Sequence, residues 1–373
     1  VKIFIEENPK LWLWFGVVAG LGLLNKYSVG FLCVALVVAL LLTPSRKHLA
    51  TKWFWIGALT AFVLFLPHLV WEIRNGVPSI EFMRNASQQK NVPTPLLEFL
   101  LGQFREGNFF NAPIWLFGLY FFFFHPDTRR VRFLGWLYVI LFAIFTVGNG
   151  KAYYLSPVYP VLLAGGSVFL ERSWQHRPLR WMRVAYPCLM IALSVIVLPL
   201  ALPVLPVERL IEYQNVLGLT PKSEERTSVG TLPQGYADEF GWEEFAATAA
   251  KIYQTLTPEE QTQCVIFVRN YGEAAAIDFF GKKYGLPDAL CAHNSYWYWG
   301  PGEKTGDIAI ILGSRRDLQA NLDDLQRAYK SVEPSLRTEC SLCMPYENGR
   351  QFFVCRGMNT TFQKIWPGER FVI

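Results

Sequence analysis

The stretch Val184–Leu205, VAYPCLMIALSVIVLPLALPVL, decides how this chain is read. It is apolar for the length of a membrane-crossing helix and begins just after the basic residues Arg172, Arg177, Arg180 and Arg183. Beyond Pro206 the sequence turns to mixed charge. Everything before that point repeats the pattern of apolar run and basic loop, so one half belongs in lipid and the other in water.

Two earlier basic clusters, Arg46, Lys47 and Lys52, then Arg129, Arg130 and Arg132, also sit in short loops between apolar segments. Loops of that kind stay on the cytoplasmic side. Threading the chain through them predicts spans at Leu11–Leu24, Tyr27–Leu42, Trp53–Trp71, Pro113–Phe124, Phe133–Gly148, Tyr153–Leu170 and Val184–Leu205, about seven in all, several shorter than the roughly 20 residues of a perpendicular helix. The last span starts at an inner cluster, which puts everything after it outside. The expected architecture is a polytopic α-helical membrane domain over 1–206, a linker over 207–230 and a small extracytoplasmic α/β domain over 231–373.

Composition agrees: 52% of residues are hydrophobic, 16% are aromatic, and the mean hydropathy of +0.21 averages a greasy half with a polar one. Trp12, Trp14, Trp53, Trp55, Trp71 and Trp115 fall near predicted span ends, where amphipathic rings favour the interface. The net charge of +5 comes largely from inner loops, so it implies membrane lipid as a neighbour and not nucleic acid. The chain opens at Val1 without an initiator methionine, and Val1–Lys10 lacks the features of a signal peptide. It is therefore read as the carboxy-terminal portion of a longer protein.

Five of the seven cysteines, Cys264, Cys291, Cys340, Cys343 and Cys355, follow Pro206. Outside the cell membrane disulfides persist, and Cys340, Cys343 and Cys355 flank an expected hairpin with its turn at Asn348-Gly349. A disulfide is expected there ahead of zinc, because a lone Cys-x-x-Cys lacks a second pair and His293 is the domain's only histidine.

The longest outward loop, Glu72–Asn111, carries Arg74, Arg84 and Lys90, is broken by Pro78, Pro93 and Pro95, and contains an apolar run, Leu96–Phe104, expected to lie along the membrane surface. Guanidinium forks match phosphate oxygens, so Arg74 and Arg84 are candidate ligands of a lipid phosphate; nonspecific headgroup contact explains them equally well. A second outward loop, Asn149-Gly150-Lys151, leads into Tyr153, Tyr154, Pro157, Tyr159 and Pro160. Prolines in a span free backbone carbonyls, which is tolerated where protein or a wet cavity lines that face. Tyr153, Tyr154 and Tyr159 thus read as a pocket wall beside Lys151.

The segments Gly20-Leu-Gly-Leu-Leu-Asn-Lys-Tyr-Ser28, Phe65-Leu-Pro-His-Leu-Val-Trp71, Arg74-Asn-Gly-Val-Pro-Ser79, Leu97-Glu-Phe-Leu-Leu-Gly-Gln103 and Lys151-Ala-Tyr-Tyr-Leu-Ser-Pro-Val-Tyr-Pro160, in that order, resemble bacterial members of the protein-mannosyltransferase and aminoarabinose-transferase family. These are polytopic glycosyltransferases of the GT-C fold, often grouped as glycosyltransferase family 39. The resemblance is expected to run from about Leu11 to the end, including Asn270-Tyr-Gly-Glu273 and His293-Asn-Ser-Tyr-Trp297. It implies transfer of a sugar, with inversion, from a polyprenyl-phosphate donor to a lipid, glycan or protein acceptor on the outer membrane face. Lys151, helped by Arg74 or Arg84, would stabilise the departing phosphate. The family's acidic base lies upstream of the region matching Leu11, so this portion inherits none and is expected to bind without catalysing; Glu72, Glu81, Glu98 and Glu106 face outward with no role assigned. No cofactor is named by the residues, a divalent cation being the one candidate.

From Thr231 the pattern becomes α/β. Helices are predicted over Trp242–Leu256, Ala274–Tyr284 and Leu318–Tyr329, strands over Cys264–Val268, Ala289–Ala292 and Ile308–Leu312, and an edge hairpin closing through Arg350–Arg356. A small parallel sheet covered on both faces follows, with ligands expected beyond the carboxyl ends of its strands. Asn270, Glu273, His293, Asn294 and Trp297 gather there as a candidate glycan surface. The competing reading packs Tyr296, Trp297 and Trp299 against the outer ends of the membrane helices. Gly300-Pro-Gly302 is a turn with no lysine-serine behind it, which argues against a nucleotide site. The rival function is a glycan-binding or transport-associated membrane protein without chemistry; charges concentrated at span ends speak against transport.

Overall fold

The computed structural model describes residues 1–373 apart from 107–108, 176, 222, 224 and 316, and the side chain of Arg177 in the third basic cluster also lies outside the described residues. The chain forms two compact units, residues 1–77 with 93–206, and residues 78–92 with 207–373.

The first unit is helical. Each predicted span is a helix or contains one: Leu11–Asn25, Ser28–Leu41, Lys52–Arg74, Ala112–Phe124, Phe133–Val147, Tyr159–Ser173 and Met182–Ala201. Among the described residues three helices are long and apolar enough to cross a membrane, or up to five if each sharply bent pair is one span; Leu11–Asn25 and Phe133–Val147 are shorter apolar helices. A helix rises 1.5 Å per residue, so these short segments fall below the roughly 30 Å of a hydrocarbon core.

Small residues set the packing. Gly16 lies against the main chain of Gly57, and Gly20 against Ala61, so Leu11–Asn25 and Lys52–Arg74 run parallel at a separation that a Cβ would forbid. Trp12, Leu40, Phe99, Phe133, Leu155 and Leu162 fill the interior. The outside is apolar as well: Trp14, Val18 and Phe124 are 67%, 68% and 70% exposed, and no residue of Met182–Ala201 is buried. Apolar surface on this scale needs an apolar neighbour.

Charge sorts to one end. Glu7 pairs with Lys47 (3.6 Å) and Arg130 (3.7 Å), the Ser45 hydroxyl donates to the Arg130 carbonyl, and Arg172 binds Asp127 (2.7 Å). The basic loops that the sequence assigns to one side of the membrane therefore meet.

The second unit is built on a five-stranded sheet: β1 Val265–Val268, β2 Ala289–Cys291, β3 Ile308–Leu312, β4 Tyr329–Arg337 and β5 Gln351–Met358, in the order β2-β1-β3-β5-β4. β1 is buried at every position because helices cover both faces. Ile266 and Val268 pack with Phe245, Ala249, Ile252 and Ile277 on one side; Val265 and Phe267 pack with Leu325, Phe362 and Trp366 on the other.

Two expectations are corrected. The sheet is mixed, since β1 is parallel to β2 and β3 while β5 is antiparallel to β3 and β4. The segment Arg350–Arg356, expected at the edge, is interior; the edge is β4, whose polar alternation and Pro334 disguise a strand. A proline is tolerated there because an edge strand has N–H groups that need no ladder partner. All seven cysteines, each among the described residues, are free thiols. In place of the expected bridge, the Cys343 N–H donates to Cys340 Sγ (3.1 Å), and Cys355 is buried on β5.

The loop Glu72–Asn111 is shared between the units. Leu96–Glu106 is a helix of the first, whereas residues 78–92 join the second through Asn85 Nδ2 donating to the Val372 carbonyl (2.7 Å), Arg370 with Glu81 (2.8 Å) and Lys90 with Glu225 (3.5 Å).

Candidate functional site

Opposite the basic end of the first unit, the Asn25-Lys26 turn brings Tyr27 beside the last turns of Lys52–Arg74. Residues four apart share a helix face, so His68 and Glu72 stand together on it, with His68 Nε2 3.6 Å from Glu72 Oε1. The Tyr27 hydroxyl donates to Glu72 Oε1 (3.0 Å) and bonds His68 Nε2 as well. Glu72 is 5% exposed, a buried carboxylate held by a phenol and an imidazole. Lys26 Nζ lies 6.0 Å from the Tyr154 ring, Tyr154 meets Tyr153 edge to face, and Lys151 Nζ lies 5.9 Å from the Tyr153 ring.

Lys151, Tyr153 and Tyr154 therefore come together at this end, with Lys26 added. Tyr159 is buried and turned away, donating to Gln103 Oε1 (2.8 Å). Arg74 closes its helix as an exposed residue of the same unit, while Arg84 belongs to the second unit. Of the outward acids, Glu81 pairs with Arg370, Glu106 with Arg105, and Glu98 is exposed.

In the second unit a cavity of about 1010 Å³ opens at the carboxyl ends of the parallel strands. Its wall includes Arg269–Gly272 after β1, Ala292 and His293 after β2, Ser314 and Arg315 after β3, and Tyr346, Glu347 and Arg350 before β5. Glu273 lies behind the wall. Its carboxylate closes a capping box with Asn270, accepts from the Arg269 N–H (2.7 Å) and pairs with Arg350 (2.9 Å), so it is committed to the fold. Asn270 faces two ways, capping the helix Tyr271–Phe280 and donating to Glu347 Oε1 (3.1 Å). Burial and the neighbouring Glu273 push the Glu347 carboxyl well above the usual carboxylate range.

His293 is buried between Tyr271 and Phe371, and desolvation lowers its proton affinity. Asn294 binds both main-chain groups of Ile373. Trp297 and Trp366 exchange indole-to-carbonyl hydrogen bonds of 2.9 Å, which seats Trp297 within the unit. Tyr296 donates to Asp278, and Trp299 is 71% exposed. Of the candidate glycan surface, then, Asn270 and His293 reach the cavity wall, while Glu273, Asn294 and Trp297 hold the wall in place. Among the described residues no group of three His, Cys, Asp or Glu side chains is arranged to hold a metal ion.

Residues 1–71 match the family model for dolichyl-phosphate-mannose-protein mannosyltransferases. No curated protein and no solved structure matches the chain. The matched stretch makes this part of the first unit similar to membrane glycosyltransferases of the GT-C type, and with the apolar helices it marks a multi-pass membrane region. It begins before Leu11, where the resemblance was expected to start, and stops at Trp71, so the similarity shown is to the amino-terminal fifth of the chain. Tyr27 and His68 lie inside it; Glu72, Lys151 and the second unit lie outside.

Sequence reasoning missed the grouping of Tyr27, His68 and Glu72. Tyr27 and His68 both sit in family-like segments, but nothing in their spacing places them in contact. It also missed Arg269, Arg315, Tyr346, Glu347 and Arg350, which come from separate loops and have no linear signature.

Proposed function

We propose that the chain is part of a membrane glycosyltransferase that moves a sugar from a polyprenyl-phosphate-linked donor to a lipid, glycan or protein acceptor at the outer membrane face. The observation that carries this reading is the joining of Tyr27, His68 and Glu72 at the end of the first unit that also holds Lys26, Lys151, Tyr153 and Tyr154. Glycosyl transfer needs that chemistry. The acceptor oxygen attacks the anomeric carbon, the bond from that carbon to the phosphate oxygen breaks with inversion, the acceptor proton passes to a base, and the phosphate departs with its bonding electrons. Lys151 stabilises the departing phosphate, because a cation already held beside the developing anion acts without reorganising solvent. The Tyr27, His68 and Glu72 group supplies donors and an acceptor for the sugar and phosphate oxygens, and Tyr153 and Tyr154 offer ring faces.

The test is transfer of radiolabelled sugar from a polyprenyl-phosphate donor by the complete protein in liposomes, with Lys151→Ala beside it. Loss of transfer with intact membrane insertion supports the assignment; near-normal turnover removes Lys151 from the mechanism. A second reading, a membrane-anchored glycan-binding protein without chemistry, draws on the large cavity of the second unit. Saturable glycan binding with no donor turnover would select it.

A further inference from the structure

The cavity of the second unit lies where the sheet changes direction. From β1 the chain passes through the helix Tyr271–Phe280 to β2 on one side, then crosses to β3 on the other side of β1. The loops after β1 and β3 therefore diverge and leave a crevice at the strands' carboxyl ends, the place where open α/β sheets receive ligands. That crevice is the cavity.

Its lining is charged and rich in arginine. Lys90, Arg226, Arg269, Arg315 and Arg350 line it beside Glu225, Asp238, Glu347 and Glu369. Glu225 is matched by Lys90 (3.5 Å), and Arg350 lies between Glu273 and Glu347. Arg269 after β1 and Arg315 after β3 bring guanidiniums to the strands' carboxyl ends, and burial beside Glu273 keeps the Glu347 carboxyl protonated up to about 8. Between Arg269 and the helix start, the N–H groups of Tyr271 and Gly272 have no acceptor among the described residues, and they carry the positive end of the helix dipole. His293, also in the wall, is 6% exposed and its Nδ1 has no partner among the described residues. Aromatic faces complete the lining: Trp242, Tyr271, Phe371, and Tyr346, whose ring carries the Arg315 guanidinium at 4.0 Å.

From this arrangement we infer that the cavity binds an acidic saccharide, its carboxylate or phosphate held by Arg269, Arg315 and the first-turn N–H groups of Tyr271 and Gly272, its sugar rings against the aromatic wall. The inference concerns binding alone and stands whether or not the first unit transfers a sugar.

The experiment is isothermal titration of the full chain in detergent with trigalacturonic acid, a phosphorylated maltotriose, neutral maltotriose and inorganic phosphate. Saturable binding of one acidic trisaccharide, at least tenfold tighter than maltotriose, is expected; which one binds identifies the acidic group. Arg269→Gln and Arg315→Gln should each weaken it about tenfold, while Lys330→Gln, outside the cavity, should not, with near-ultraviolet circular dichroism unchanged in all three. Equal binding of maltotriose, binding of inorganic phosphate alone, or no saturation by either acidic trisaccharide would overturn the inference.

Discussion

Arg350 and Glu273, 77 positions apart, meet at 2.9 Å with side chains 6% and 0% exposed. The pair joins the start of β5 to the helix that follows β1, and the same guanidinium donates to the Gly313 carbonyl beyond β3 (2.6 Å). Removing one member of a buried pair strands the other charge, at about 3–5 kcal/mol. Arg350→Met should therefore loosen the whole cavity floor, read as faster hydrogen exchange in β1 and β5. The double change Arg350→Met with Glu273→Leu should recover part of the loss, since it no longer strands the Glu273 charge.

Glu347 gives the second unit a pH dependence. Its carboxyl is pushed up to about 8 from an ordinary 4.5, by burial first and by Glu273 second. Below 4.5 the folded and unfolded forms both hold the proton. Above that the folded form keeps a proton the unfolded form has released, so the contribution to stability is present at low pH and fades as pH rises through about 8. The urea midpoint of the second unit should fall as pH rises from about 5 to about 9, the span of that titration, and Glu347→Gln should flatten the slope. An unchanged slope in the variant would assign the dependence elsewhere.

The contact between Gly16 and Gly57 admits no side chain, since a Cβ on either would run into the other helix's main chain. Gly16→Ala should cost about 1–3 kcal/mol through overpacking. Gly30→Ala, whose added carbon would sit 3.6 Å from Leu23, should be nearly neutral. Thermal unfolding in detergent separates the two.

At the far end of those helices, catalysis is the readout. Lys151→Ala should lower sugar transfer about 10²–10³-fold, the cost of deleting one group aimed at a developing anion. Glu72→Gln keeps the shape of the side chain and its contact with Tyr27 while removing the charge beside His68. It should reduce turnover with membrane insertion and fold intact; full activity would show that Glu72 serves packing alone.

Much of this was legible residue by residue. Helices over Lys52–Arg74 and Met182–Ala201 follow from long apolar runs, β1 and β3 from short β-branched ones, and the shared end of the basic loops from charge. β4 was not legible, because Lys330–Arg337 is polar and carries Pro334, and its strand character comes from pairing with β5.

Sequence by itself determined what each segment prefers to touch, lipid, water or core, because apolar length and periodicity are local properties of the chain. Only the tertiary structure decided which segments touch one another. It brought Tyr27 to His68 and Glu72, divided Glu72–Asn111 between two units, turned Glu273 and Trp297 inward, and assembled Arg269, Arg315 and Glu347 around one cavity. Such contacts join positions far apart in the chain, and their energies depend on burial and distance, neither of which is written in spacing.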